Sequence, residues 1–210
     1  MLYPDQAGLS RCWGFGKLKG KLTLSFDLHE LAKQIGDQAY PPVDKWNPDF
    51  CGDIDMRIAR DGTWYYMGTP IGRKRLVKLF SSVLRRDPDG QHYLVTPVEK
   101  LRIKVDDAPL FVVELTRHGT GRDQAIEFRT LTDDELLLDE DHPLRVETNP
   151  RSGEPAPYVK VRGSLEALIS RPVFYELVDL ADRIDAGEKY ELVVRSCGRA
   201  FSLGEVKEDV

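Results

Sequence analysis

Residues 53–59, Asp-Ile-Asp-Met-Arg-Ile-Ala, alternate strictly between polar and apolar. A period of two marks a strand with one buried and one open face. Ile54, Met56 and Ile58 take one face; Asp53, Asp55 and Arg57 take the other. Arg60-Asp61-Gly62 comes next as a turn, with glycine available for positive φ. Residues 63–67, Thr-Trp-Tyr-Tyr-Met, return as the second strand. A three-residue loop with Gly62 at the bulge pairs Ile58 with Trp64 and Met56 with Tyr66. A two-residue loop would turn Tyr65 and Met67 to the core instead.

Thr69-Pro70 reads as a helix start, with Thr69 as N-cap and Pro70 in the first helical position. Leu76, Val77, Phe80, Val83 and Leu84 form its apolar stripe, opposite Lys74, Lys78 and Arg85. After a turn at 87–90, residues 92–96, 100–105, 110–116 and 125–130 read as strands. Residues 132–156 read as an acidic loop with one short strand at 135–138. Upstream, residues 1–20 read as an arm, and 27–35 as a short helix capped by Asp27 and ended at Gly36. Pro41, Pro42 and Pro48 mark a linker.

The last fifty residues repeat the middle pattern. A shift of 101 places Gly62 on Gly163, Thr63 on Ser164 and Thr69 on Ser170. The same shift places Leu76 and Val77 on Leu177 and Val178, and predicts a helix over 173–185 followed by a strand at 190–196. The expected fold class is therefore α+β. It has two related lobes, each a curved, mostly antiparallel sheet with a hairpin–helix–strand unit, derived by duplication. The expected organisation is an arm, short helix and linker over 1–45, a first lobe over 46–108 and a second over 109–210.

Charge and cysteine usage bound the function. The 210 residues carry 30 basic and 35 acidic side chains, a net −5, which gives no global pull toward nucleic acid. No apolar run reaches the roughly 18 residues of a membrane span, and the first twenty residues lack the apolar core of a signal peptide. Cys12, Cys51 and Cys197 form no metal-binding spacing and read as small buried side chains of a reduced, cytoplasmic protein. Residues 72–86 hold six basic residues and no acidic one, whereas the related C-terminal helix carries Glu176 and Asp179. That reversal fits docking between halves or between subunits, so a homo-oligomer is among the expectations.

Four long motifs occur in order: residues 46–73, beginning Trp-Asn-Pro-Asp-Phe-Cys-Gly-Asp, residues 93–100, residues 142–147 and residues 158–167. Together they resemble the bacterial domain-of-unknown-function family 1285, over about residues 40–203. The resemblance implies a cytosolic, two-lobed α+β protein with repeated hairpin–helix units and a role in sensing or signalling. It brings no catalytic residue with it.

The residues suggest a polar site. Asp53 and Asp55 lie on one strand face about 6.5–7 Å apart, with Arg57 next along it. Thr69 and the N–H groups behind it add anion donors. Glu99 supplies another carboxylate, and Arg162 flanks the equivalent turn of the second half. The leading expectation is a non-enzymatic regulatory protein with a cleft between its lobes. Asp53, Asp55, Arg57, Thr69, Glu99 and Arg162 would recognise a small polar ligand or a partner loop, without metal or cofactor, nucleic acid or membrane. The alternative is a metal-dependent hydrolase built on Asp53 and Asp55, with Glu99 or His142 as further ligands.

Overall fold

Burial follows the alternation: Ile54, Met56 and Ile58 are buried while Asp53, Asp55 and Arg57 are exposed. The computed structural model describes residues 17–18, 21–22, 40–149, 153–185, 187 and 189–207. The helix expected over 27–35, and Cys12, lie outside them. Strands β1 (Lys17–Leu18) and β2 (Lys21–Leu22) pair antiparallel. The described residues up to Arg57 form one compact unit with Trp64–Lys104; Ile58–Thr63 joins the residues from Val105 onward in a second.

The first unit contains β3 (Phe50–Ile58), β4 (Trp64–Tyr66), β5 (Thr69–Pro70), α1 (Lys74–Ser82), β6 (Leu84–Arg86), β7 (His92–Val95) and β8 (Lys100–Val105). Its six-stranded sheet has the order β5-β4-β3-β8-β7-β6. The first turn closes with the Ala59 N–H donating to the Thr63 carbonyl at 2.9 Å, which leaves three residues in the loop. The Met67 N–H donates to the Asp55 carbonyl at 2.9 Å, so Arg57 stands opposite Tyr65. This is the three-residue register, with Trp64 buried and Met67 exposed.

Thr69 does not cap a helix. Met67 and Gly68, at φ 49° and 76°, form a tight reversal of the kind that suits the strand twist, and Thr69 pairs with Tyr66 in the edge strand β5. The helix opens five residues later, with Arg73 at its N-cap and no side-chain cap bond. Phe80 carries its buried face, stacked on Trp64 with ring centroids 6.3 Å apart. Leu76 and Val77 are half-buried, and Leu84 belongs to β6.

The second unit contains β9 (Leu110–His118), a 3-10 turn (Gly121–Asp123), β10 (Ala125–Thr130), β11 (Glu135–Leu137) and β12 (Leu144–Thr148). It continues with β13 (Pro155–Arg162), β14 (Leu165–Ile169), α2 (Arg171–Asp179), β15 (Asp182–Asp185), β16 (Lys189–Ser196) and β17 (Arg199–Lys207). Its six-stranded sheet runs β11-β10-β9-β14-β13-β12, antiparallel throughout except for β14 against β9. Strands β15, β16 and β17 form a separate antiparallel sheet. Val112, Ile126, Phe128, Val159, Ala167 and Leu177 anchor the core. The acidic stretch contains β12 as well as the expected short strand.

The two sheets of this unit are tied by polar bonds. The Ile126 N–H donates to the buried Ser196 Oγ at 2.9 Å, and Gln124 Nε2 donates to the Arg195 carbonyl at 2.6 Å. The helix α2 stops at Asp179, short of the expected 185, because residues 182–185 pair with 190–193 in β16. The turn glycines Gly62 and Gly163 are 101 residues apart, yet Lys74 and Arg171 open their helices 97 apart. The offset of 101 therefore does not carry through to the helices: β5 lies between the hairpin and α1, whereas no strand separates β14 from α2. Neither cysteine among the described residues is fully buried: Cys51 is half-buried and Cys197 exposed. No helix among the described residues is long and apolar enough to cross a membrane.

Candidate functional site

Five of the six residues read from the sequence as polar recognition groups lie in the first unit. Asp53 does not turn to Arg57. Arg102 of the neighbouring β8 donates to both its oxygens, at 2.5 and 2.9 Å, and this hydrogen bond holds the Asp53 carboxyl below the usual carboxylate range. The pair starts a ladder of contacts along the sheet. Arg102 lies 5.8 Å from the Phe50 ring, Phe50 meets Tyr93 edge-on, and Lys100 sits 4.2 Å over Tyr93 while reaching Asp87 at 2.5 Å.

Asp55 and Arg57 come together with Tyr65 and Gly68 around a groove of about 330 Å³. The hairpin register puts the Arg57 guanidinium 5.1 Å from the Tyr65 ring centroid. Thr69 is exposed in β5. Glu99 is buried in the turn between β7 and β8, where its N–H donates to Thr96 Oγ1 at 3.0 Å. Burial pushes its carboxyl up. Arg162 belongs to the second unit, where it donates to the buried Asp134. Asp134 also accepts the hydroxyls of Thr130 and Thr132, at 2.7 and 2.6 Å.

The histidines are dispersed. His118 meets Glu127 at 2.6 Å, and His142 Nδ1 meets Asp139 at 3.0 Å. Among the described residues, no three of His, Cys, Asp and Glu gather closely enough to hold a metal ion.

A larger concavity lies in the second unit, where no sequence motif points to a site. It has a volume of about 470 Å³. Its floor follows from strand pairing: β14 places Leu168 beside Phe111 of β9 and Tyr158 of β13. With Ala108 and Ala156 these side chains make an apolar cluster. Pro155, Pro157 and Phe174 extend the walls.

Arg60 and Asp61 reach the rim because the 60–62 turn lies against Phe111. Gly62 has φ 80°, and a Cβ there would come within 2.8 Å of the Phe111 Cβ. Arg60 Nε meets Asp107 Oδ2 at 3.0 Å, while the Tyr158 hydroxyl donates to the other oxygen at 2.8 Å. Burial, reinforced by that bond, raises the Tyr158 phenol to about 12, so it stays a donor. At the other side Arg171 pairs with Glu154. Ser170 occupies the N-cap of α2 without a side-chain cap bond, and it lines the cavity. Turn, strand end and helix start thus bring polar groups around an apolar floor, from segments far apart in sequence.

Comparisons with known proteins agree with this two-part organisation. The family model for the N-terminal domain of DUF1285, a domain of unknown function, matches residues 41–108. The model for the C-terminal domain of the same family matches residues 109–203. No curated protein matches the chain. The chain is similar to a crystal structure of a DUF1285 family protein from Silicibacter pomeroyi, at 49% identity and a TM-score of 0.75. That match covers 83% of this chain and 93% of the other. A DUF1285 family protein from Shewanella baltica matches at 26% identity and a TM-score of 0.48, over 60% of this chain and 91% of that one. With both domain models matched in order over most of its length, the chain belongs to the DUF1285 family.

Proposed function

We propose that the chain is a non-enzymatic, regulatory binding protein of the cytoplasm, and that the cavity of its second unit receives a small molecule. One observation carries this reading: a cavity of about 470 Å³ with an apolar floor and a polar rim. Small-molecule sites are of this kind, roughly 300–1,000 Å³ and mostly apolar with a few placed polar groups. Phe111, Leu168 and Phe174 take the flat or aliphatic body of the ligand. Arg60, Arg171 and the Ser170 hydroxyl take its polar head. Asp107 and Glu154 offset the two arginines, which favours a single carboxylate or sulfonate, or a zwitterion, over a polyphosphate. On the first unit, the groove beside Asp55, Arg57 and Tyr65 serves as a polar contact for a partner loop.

The hydrolase reading has less support. Asp53 is engaged by Arg102, Asp55 lies with Arg57 and Tyr65, and Glu99 is buried in a turn. We also infer that the two halves descend from one duplicated unit. Its support is the shared order of hairpin, nine-residue helix and three antiparallel strands.

Fluorescence titration with anilinonaphthalene sulfonate, an aromatic body bearing one sulfonate, tests the binding reading on the native protein. The expected result is a saturable, blue-shifted signal that Ser170→Phe removes, because the new ring fills the cavity, with the circular dichroism unchanged. No signal from the parent protein, or one that Ser170→Phe leaves intact, overturns the reading.

A further inference from the structure

Both helices carry charges at the end where the helix dipole opposes them. The N-terminus of a helix is its positive end and the C-terminus its negative end. Helix α1 begins with exposed Arg73, Lys74 and Arg75, followed by exposed Lys78, and has no acidic residue in its first turn. Helix α2 ends with exposed Glu176 and Asp179 and has no basic residue in its last turn. Arg73, Lys74 and Arg75 have no carboxylate partner among the described residues, and Glu176 and Asp179 have no cation partner there. Other arginines of the chain are paired. Arg60, Arg102, Arg129, Arg145 and Arg199 each reach a carboxylate. At the N-terminus of α2, Arg171 is offset by Glu154.

We propose that the α1 face of one copy of this chain docks antiparallel on the α2 face of a second copy. Antiparallel packing sets the positive end of one helix against the negative end of the other, so both unfavourable charge placements become favourable together. The spacing matches. Arg75 and Lys78 are three residues apart, as are Glu176 and Asp179, about 4.5 Å along each axis. In the antiparallel register Arg75 meets Asp179 and Lys78 meets Glu176. Exposed Tyr175, 62% accessible, lies on the same side of α2 and supplies apolar contact area. A nucleic acid or an anionic membrane would use the basic face alone and leave the acidic face of α2 unexplained.

Sedimentation velocity over a range of protein concentrations, at ionic strengths of about 0.05 and 0.5 M, tests this on the full chain. Concentration-dependent association is expected, at least about tenfold weaker at the higher salt. Arg75→Glu with Lys78→Glu abolishes it, as does Glu176→Lys with Asp179→Lys. Mixing the two charge-reversed proteins restores it, since each now offers the other's complement. A chain carrying all four substitutions associates with itself again, which separates lost docking from lost folding. A parent protein that stays monomeric, reversals that leave association unchanged, or a mixture that does not restore it each overturn the proposal. So does capture by anionic vesicles or DNA that requires Arg75 and Lys78 while the protein does not self-associate.

Discussion

A methyl group on residue 62 would meet the Cβ of Phe111 at 2.8 Å. Gly62 is fixed twice over, by a φ of 80° and by this approach, and both hold the turn against the floor of the cavity. Replacing it with alanine adds a left-handed penalty of about 1–2 kcal/mol to the cost of moving the turn. Gly62→Ala is expected to lose at least about 2 kcal/mol in urea denaturation. It is also expected to weaken anilinonaphthalene sulfonate binding, because Arg60 and Asp61 move with the turn.

Phe80 is 2% exposed and stacks on Trp64. Phe80→Ala should cost about 3–5 kcal/mol and shift the tryptophan emission of the folded protein to the red. Leu177, fully buried on the inner face of α2, should cost about 2–5 kcal/mol on truncation to alanine. Urea midpoints check both.

The Asp134–Arg162 and Asp53–Arg102 pairs differ in burial, and so in what their loss costs. Asp134 is 3% exposed and holds Arg162 and two threonine hydroxyls. Asp134→Ala takes the buried acceptor from a largely buried guanidinium and is expected to cost about 3–5 kcal/mol. The exposed Asp53–Arg102 pair is screened by solvent and contributes little, so Arg102→Ala should barely move the urea midpoint.

His92 Nε2 is buried without a hydrogen-bond partner among the described residues. Burial, and then the Arg86 charge, push its imidazole down from 6.5 to about 4. The unfolded chain therefore binds this proton first as pH falls. The contribution is complete above about pH 6.5 and is lost as pH falls toward 4, by about 2–3 kcal/mol. Urea midpoints at pH 7 and 4.5 should diverge in the parent protein and diverge less in His92→Leu.

The 53–67 hairpin was legible because periodicity and one turn glycine specify it locally. The next segment, 67–73, was not. Met67 sits at φ 49° in a reversal that usually calls for Asn, Asp or Gly. Without that signal, Thr69-Pro70 reads as a helix start, although proline is equally at home in an edge strand. The partner of Asp53 depended on sheet order: β8 lies beside β3, and no local pattern in the sequence states that. The cavity was hidden for a similar reason. Arg60, Phe111, Pro155 and Arg171 meet only through the parallel pairing of β14 with β9 and the turn that leans on Phe111.

The bond from the Ile126 amide to Ser196 Oγ crosses from one sheet of the second unit to the other. An amide in that position exchanges with solvent deuterium only when the two sheets part. Ser196 is fully buried, so fraying at a strand edge does not expose the bond. The exchange rate of this one proton therefore distinguishes a second unit that opens as a whole from one in which β15–β17 detaches first.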